Sequence, residues 1–152
     1  EIQLPIMIDI CEKYKIFMKE HNGDYLTDDS LKWHPKLGIH SVNVAPEFGV
    51  VESKSLVRLF REFKLYKLLD EFLEISYSSN KWKKWMMLNT KTTDFEKAII
   101  SGHYIFSDKK FLQLKNKAKN ILTKKNINID KCLQKDIEKS ILRYVKFFNL
   151  IK

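Results

Sequence analysis

Within "EHNGDY", the residues Glu20, His21, Asn22 and Asp24 put four polar side chains into five positions. A second concentration lies in "SVNVAPEFG", where Asn43 and Glu47 bracket Ala45 and Pro46, and Gly49 follows. The first cluster, at the end of an extended segment, can serve as a general base or a hydrogen-bonding group, with His21 and Asp24 the candidate acid/base pair, or be a polar turn without chemistry. Glu20, Asn22 and Asn43 can hydrogen-bond a polar substrate. Pro46 stiffens the second stretch, Gly49 permits unusual backbone angles and Glu47 adds a carboxylate, which makes residues 45–49 a candidate binding loop. His21 and Asp24 are only one potential ligand pair, short of the three or four ligands zinc requires, and no metal site is assigned.

Such groups need elements to position them. Ile16, Phe17 and Met18 form an extended run that breaks at Asn22-Gly23, a turn signal. Gly38 opens a second extended run that Pro46 to Gly49 close, with Val42 and Val44 on one face and Ser41, Asn43 and Ala45 on the other. Between the two, Asp28, Asp29 or Ser30 can cap a short helix carrying Leu31 and Trp33, which Pro35 would end. Ahead of them, Ile6, Ile10 and Tyr14 recur at helical spacing. From Ser53 onward the pattern is helical, first through Leu56, Val57, Phe60 and Phe63, then through Leu65, Leu68, Leu69, Phe72, Leu73 and Ile75. The amides at that helix start could hold a phosphate. Thr93 and Glu96 read as a capping box with Gly102 as the stop, Ser107 or Asp108 caps another helix, and Asp130 caps the last.

Strand, helix, strand, helix is the order of parallel βαβ units, and two strands alone do not make a stable sheet. The pattern therefore predicts part of a larger parallel sheet or barrel, with Asn43 near the end where barrels place their active sites. Other residues have plainer readings. Trp82 and Trp85 with Lys81, Lys83 and Lys84 could stack on bases or sugars, but their spacing equally makes an amphipathic face with lysines around indoles. His34 reads as a surface or capping residue, His40 as facing a helix on the valine side of its strand, and His103 as a loop hydrogen-bonder. No phosphate-binding loop, dinucleotide fingerprint or zinc-protease motif is present in the sequence.

The net charge of +9 is unevenly placed. Residues 1–108 hold 15 Lys/Arg against 16 Asp/Glu, whereas residues 109–152 hold 13 against 3. Only Arg58, Arg61 and Arg143 are arginines, and lysine-rich faces without arginine forks are poor specific readers of bases or phosphates. Nucleic acid is accordingly not the expected partner. Cys11 and Cys132 stand far apart with no paired-cysteine motif, as in free thiols of a reducing compartment. No apolar run reaches the roughly 20 residues of a membrane span, and the first residues lack a signal-peptide pattern, so a cytoplasmic location is expected.

"EHNGDYLTD" followed by "SVNVAPEFG" resembles the last two barrel strands of the class II D-tagatose-bisphosphate aldolase accessory subunit family. The family's His-x-x-Asp-Tyr motif falls on His21, Asp24 and Tyr25, and its Val-Gly-Pro on Val44, Ala45 and Pro46. Downstream, "KWKKWM" and "GHYIFSDKKF" look like its aromatic-lysine helix and its Tyr-x-x-Ser-Asp segment, here Tyr104, Ser107 and Asp108. Where the family has a lysine before Val-Gly-Pro this chain has Asn43, and Glu47-Phe48 replaces small apolar residues. The resemblance implies a sugar-phosphate ligand, with Tyr25, Ala45 and Pro46 at matching family positions; taken with the residue reading, the candidate contacts are Glu20, Asn22, Tyr25, Asn43, Ala45, Pro46, Glu47 and Gly49. It also implies a class II aldolase-like lyase or its non-catalytic subunit, with zinc in the complete protein or its partner. Candidate partners are an aldolase catalytic subunit or further copies of the chain.

The expected architecture is α/β: residues 1–65 as the closing βαβα segment of a (β/α)8 barrel, and residues 66–152 as a helical extension with a basic tail. A barrel needs about 250 residues, so the chain, which opens on Glu1, is expected to be the C-terminal part of a longer protein. The competing expectation is a helical binding module whose basic tail contacts nucleic acid or an acidic protein.

Overall fold

The structure is a computed structural model that describes residues 3–87 and 89–151. Nine segments are long enough to name: α1 (Gln3–Tyr14), β1 (Met18–Glu20), α2 (Asp28–Lys36), β2 (Ile39–Val42), α3 (Pro46–Glu62), α4 (Tyr66–Ser78), α5 (Asp94–Ser101), α6 (Lys109–Thr123) and α7 (Ile129–Phe147). Two 3-10 segments, Lys81–Trp85 and Gly102–Ile105, flank α5. The chain divides into two units, one running to Phe48 and resuming at Lys139, the other spanning Gly49–Glu138.

In the first unit β1 and β2 pair in parallel, Met18 with Ile39, Lys19 with Ser41 and Glu20 with Val42. An irregularity between Met18 and Lys19 skips His40. The bulge turns His40 outward, contrary to the helix-facing position expected from alternation. Its Nδ1 accepts the Met18 N–H at 3.3 Å, and its ring lies 4.8 Å from that of Phe17. The helix α1 forms as the apolar spacing predicts, yet it buries none of its residues: Ile6, Met7, Ile10 and Tyr14 all remain about half exposed or more.

The barrel segment is not there. Of the described residues 69% are helical, and the two described strands, three and four residues long, pair only with each other. A barrel strand must pair on both sides and run longer. The expected α/β barrel portion is thus corrected to a small helical protein with one two-stranded parallel sheet. The cause lies at Pro46. Proline is favoured at the first helical position, and Glu47 complements the positive helix end, so the chain turns helical well before Ser53. What reads as a loop after a strand is the first turn of α3. Thr27, rather than Asp28, Asp29 or Ser30, caps α2, its hydroxyl accepting the Ser30 N–H at 3.1 Å.

The second unit holds the main core, in which Leu56, Leu59 and Phe60 of α3 meet Phe72 of α4, Phe111 and Leu114 of α6, and Ile129 at the start of α7. The tilted Phe72–Phe111 pair, centroids 6.0 Å apart, is one of its aromatic contacts. Helix starts are chemically marked. Thr93 and Glu96 form the predicted capping box at α5, and Asp108 accepts the Lys110 N–H at 2.7 Å at α6. At α7 the cap is Asn128, whose side chain accepts the Lys131 N–H at 3.0 Å. Asp130 instead pairs with Lys115 and Lys119, and the Lys115 hydrogen bond holds its carboxyl below the ordinary value. Thr93→Ala removes a cap acceptor and should lower stability by about 1 kcal/mol, read as a lower urea midpoint with an unchanged slope. Cys11 and Cys132 are free thiols.

Candidate functional site

The turns after β1 and β2 lie side by side because their backbones interlock. The Asn43 N–H donates to the Glu20 carbonyl at 3.2 Å, and the Gly23 N–H donates to the Asn43 carbonyl at 2.9 Å. Gly23 has to be glycine, since a Cβ there would fall 1.9 Å from Val42 Cγ2. Asp24 then reaches the start of α3. Its Oδ1 accepts the Ala45 N–H at 3.1 Å and the Glu47 N–H at 2.8 Å. These are the amides that a phosphate at this helix end would require, and a carboxylate of the same chain already fills the place.

Glu47 is 8% exposed and gathers several donors of the first unit. Its Oε2 accepts the Tyr25 N–H at 2.5 Å and the Tyr144 hydroxyl, while Oε1 faces Ser140 Oγ and Arg143 Nη1, each at 3.4 Å. Arg143 also donates to Asp28 at 2.6 Å and to the Leu26 carbonyl. Tyr25 sits at φ 62°, a strained region for a bulky residue, and its bond to Glu47 helps to hold it there. Burial, and then the hydrogen bond to Glu47, push the Tyr144 phenol well above its ordinary value.

Glu20, the third carboxylate of the stretch, is hydrogen-bonded to His34 Nε2. His34 Nδ1–H donates to the Ser30 carbonyl at 2.8 Å, so both ring nitrogens are engaged. The surface position expected for His34 is corrected: it is 7% exposed, on the same inner face of α2 as Leu31. This pair lines a groove of about 730 Å³ together with Lys19, His21 and Ser30 and with apolar residues such as Met7, Met18 and Trp33.

Of the remaining candidates, His21 also borders this groove. His21 and Asn22 are exposed and bond each other, His21 Nδ1 to Asn22 Oδ1 at 3.0 Å. The Asn43 side chain is exposed. Pro46 is structural, and Gly49 lies in the second unit, where a Cβ would meet His103 Cγ at 2.5 Å. Hence Glu20, Asp24, Tyr25, Ala45 and Glu47 are brought into internal hydrogen bonds, whereas His21, Asn22 and Asn43 form an outward polar rim. Among the described residues no three His, Cys, Asp or Glu side chains converge as a zinc ion would need. Sequence reasoning missed Tyr144 and Arg143. The one available signal was an arginine–tyrosine pair within an otherwise lysine-rich helix.

No described helix is long and apolar enough to cross a membrane. No protein family, curated protein or solved structure matches the chain.

Proposed function

We propose that this chain is a non-catalytic accessory component acting on sugar phosphates, of the kind its motifs resemble in class II D-tagatose-bisphosphate aldolase. The observation that carries this is the assignment of the three carboxylates. Glu20, Asp24 and Glu47 are each held by a partner within the chain, which removes the groups best suited to acid–base work. What faces outward is the imidazole and amide rim of His21, Asn22 and Asn43, which suits hydrogen bonding to a polyhydroxylated ligand rather than proton abstraction.

The test is co-expression with a class II aldolase catalytic subunit. The chain alone should show no cleavage of a ketose bisphosphate, and the pair should co-purify with higher activity or a longer half-life than the catalytic subunit alone. Cleavage by the chain alone, abolished by His21→Ala, would overturn the non-catalytic reading, and failure to associate would overturn the accessory one. Asn43→Ala should weaken ligand binding with the fold intact. Asp24→Ala does not serve that purpose, because it also uncaps α3.

A second reading is favoured by the basic surface of the last two helices. Lys109, Lys110, Lys124, Lys125, Lys131 and Lys135 are all exposed and none forms an ion pair with a described carboxylate, whereas Lys117 pairs with Glu71. On this reading the helices contact a polyanion. Steep salt dependence of oligonucleotide binding, reduced by glutamine at these lysines, would support it. Deleting the helices is uninformative, since Phe111, Leu114 and Leu122 belong to the core.

A further inference from the structure

The two 3-10 segments of the second unit bring together motifs separated in sequence. Trp85 Nε1–H donates to the Tyr104 hydroxyl oxygen at 2.8 Å. A phenolic oxygen receiving that bond still carries its own hydrogen, which has no internal acceptor among the described residues. The Lys84 ammonium lies 4.8 Å from the Tyr104 ring centroid and 5.5 Å from that of Trp85, and no described carboxylate pairs with it. A cation resting on ring faces at an exposed site is held weakly and is free to meet an anion.

His103 completes the neighbourhood, its ring centroid 4.0 Å from that of Tyr104. Its Nδ1 is buried without a partner among the described residues. Burial, and then the nearby Lys84 charge, keep this imidazole below its ordinary value and so uncharged at neutral pH. The cluster thus offers two donors without a described acceptor, an exposed ammonium and a hydroxyl, with a neutral imidazole and an indole that is 49% exposed. An ammonium paired with no described carboxylate selects an anion. An ammonium 4.8 Å from the centroid of the ring that carries the hydroxyl lets both donate to one tetrahedral oxyanion with three free oxygens, and the indole offers an apolar surface to whatever carries it.

We infer that Lys84, Tyr104 and Trp85 form a binding site for the phosphate end of a phosphorylated sugar. The ammonium and the phenolic hydroxyl meet the phosphate oxygens, and the indole face packs on the C–H edge of the sugar. This rests on the sugar-phosphate reading above and moves the phosphate contact away from the start of α3, where Asp24 already holds the amides.

The experiment titrates the purified chain with fructose bisphosphate, inorganic phosphate and fructose, following tryptophan fluorescence and the His103 imidazole resonances. Fructose bisphosphate should quench the fluorescence and move the His103 signals, inorganic phosphate should bind more weakly, and fructose should do neither. Lys84→Gln and Tyr104→Phe, both at the surface, should each weaken binding about tenfold with unchanged circular dichroism. Wild-type affinity in both variants would overturn the site while leaving the accessory-subunit reading standing. Equal affinity for inorganic phosphate would overturn the sugar contact at Trp85, and no response to any probe would overturn the site outright. The accessory reading is decided separately by association with the catalytic subunit.

Discussion

Glu47→Ala should destabilise the protein by about 3–5 kcal/mol, the range for breaking a buried, hydrogen-bonded charge network from one side. Three consequences combine. The Tyr25 N–H loses its 2.5 Å acceptor at a residue whose φ of 62° is unfavourable without support. The Tyr144 hydroxyl loses its carboxylate and keeps only the Gly23 carbonyl at 3.0 Å. Arg143 loses one of its two carboxylate partners, Asp28 remaining. Urea unfolding followed by near-ultraviolet circular dichroism gives the magnitude, and hydrogen exchange at the Tyr25 amide gives the location. A loss below 1 kcal/mol, with Tyr25 still protected, would show that the network is not what holds the turn.

The same network sets an alkaline limit. The folded Tyr144 phenol sits above its unfolded value of about 10, chiefly through burial and then through Glu47. Its contribution is therefore complete below about pH 10 and falls as the pH rises further, because the unfolded chain gives up the proton first. Tyr144→Phe should lower stability at neutral pH and flatten its decline above pH 10.

The features legible in the sequence were those encoded by neighbours. The Asn22-Gly23 turn, the Thr93–Glu96 capping box and the Asp108 cap each depend on a few adjacent residues, and the structure has all three. The parallel pairing of the two extended segments was also readable, from strand–helix–strand spacing. The barrel was not a property of these residues but an extension from two short strands, and it failed where Pro46 and the Asp24 cap start α3 early. The role of Glu47 was hidden for a different reason. Its burial depends on Tyr144, 97 positions away, and no local pattern separates a carboxylate that meets a ligand from one that meets a distant helix. His40 shows a third failure, since strict alternation assigns a face that a single bulge reverses.

Gly102→Val should cost about 3 kcal/mol, the upper end for overpacking a filled interior. Gly102 reads in the sequence as a helix stop, but its φ of −52° is ordinary helical backbone, so conformational freedom is not why glycine is there. Space is the reason. A Cβ at Gly102 would lie 2.3 Å from Ser53 Oγ, 2.9 Å from Ser53 Cβ and 3.0 Å from Phe72 Cζ, and both of those side chains are fully buried. Ser53 cannot turn aside freely, because its hydroxyl donates to the Gly49 carbonyl at 3.0 Å. The alanine variant should show a smaller loss, about 1–3 kcal/mol. Ser53→Gly alone should cost about 1 kcal/mol as a glycine inside a helix, yet in the Gly102→Ala background it should recover stability. The double-mutant cycle then gives a coupling of about 1 kcal/mol or more, and strictly additive losses would refute the steric account. Because Gly102 opens the segment that carries His103 and Tyr104, the valine variant should also lose the Trp85–Tyr104 hydrogen bond. Phosphate binding at Lys84 would then weaken together with the fold, whereas Tyr104→Phe weakens binding alone.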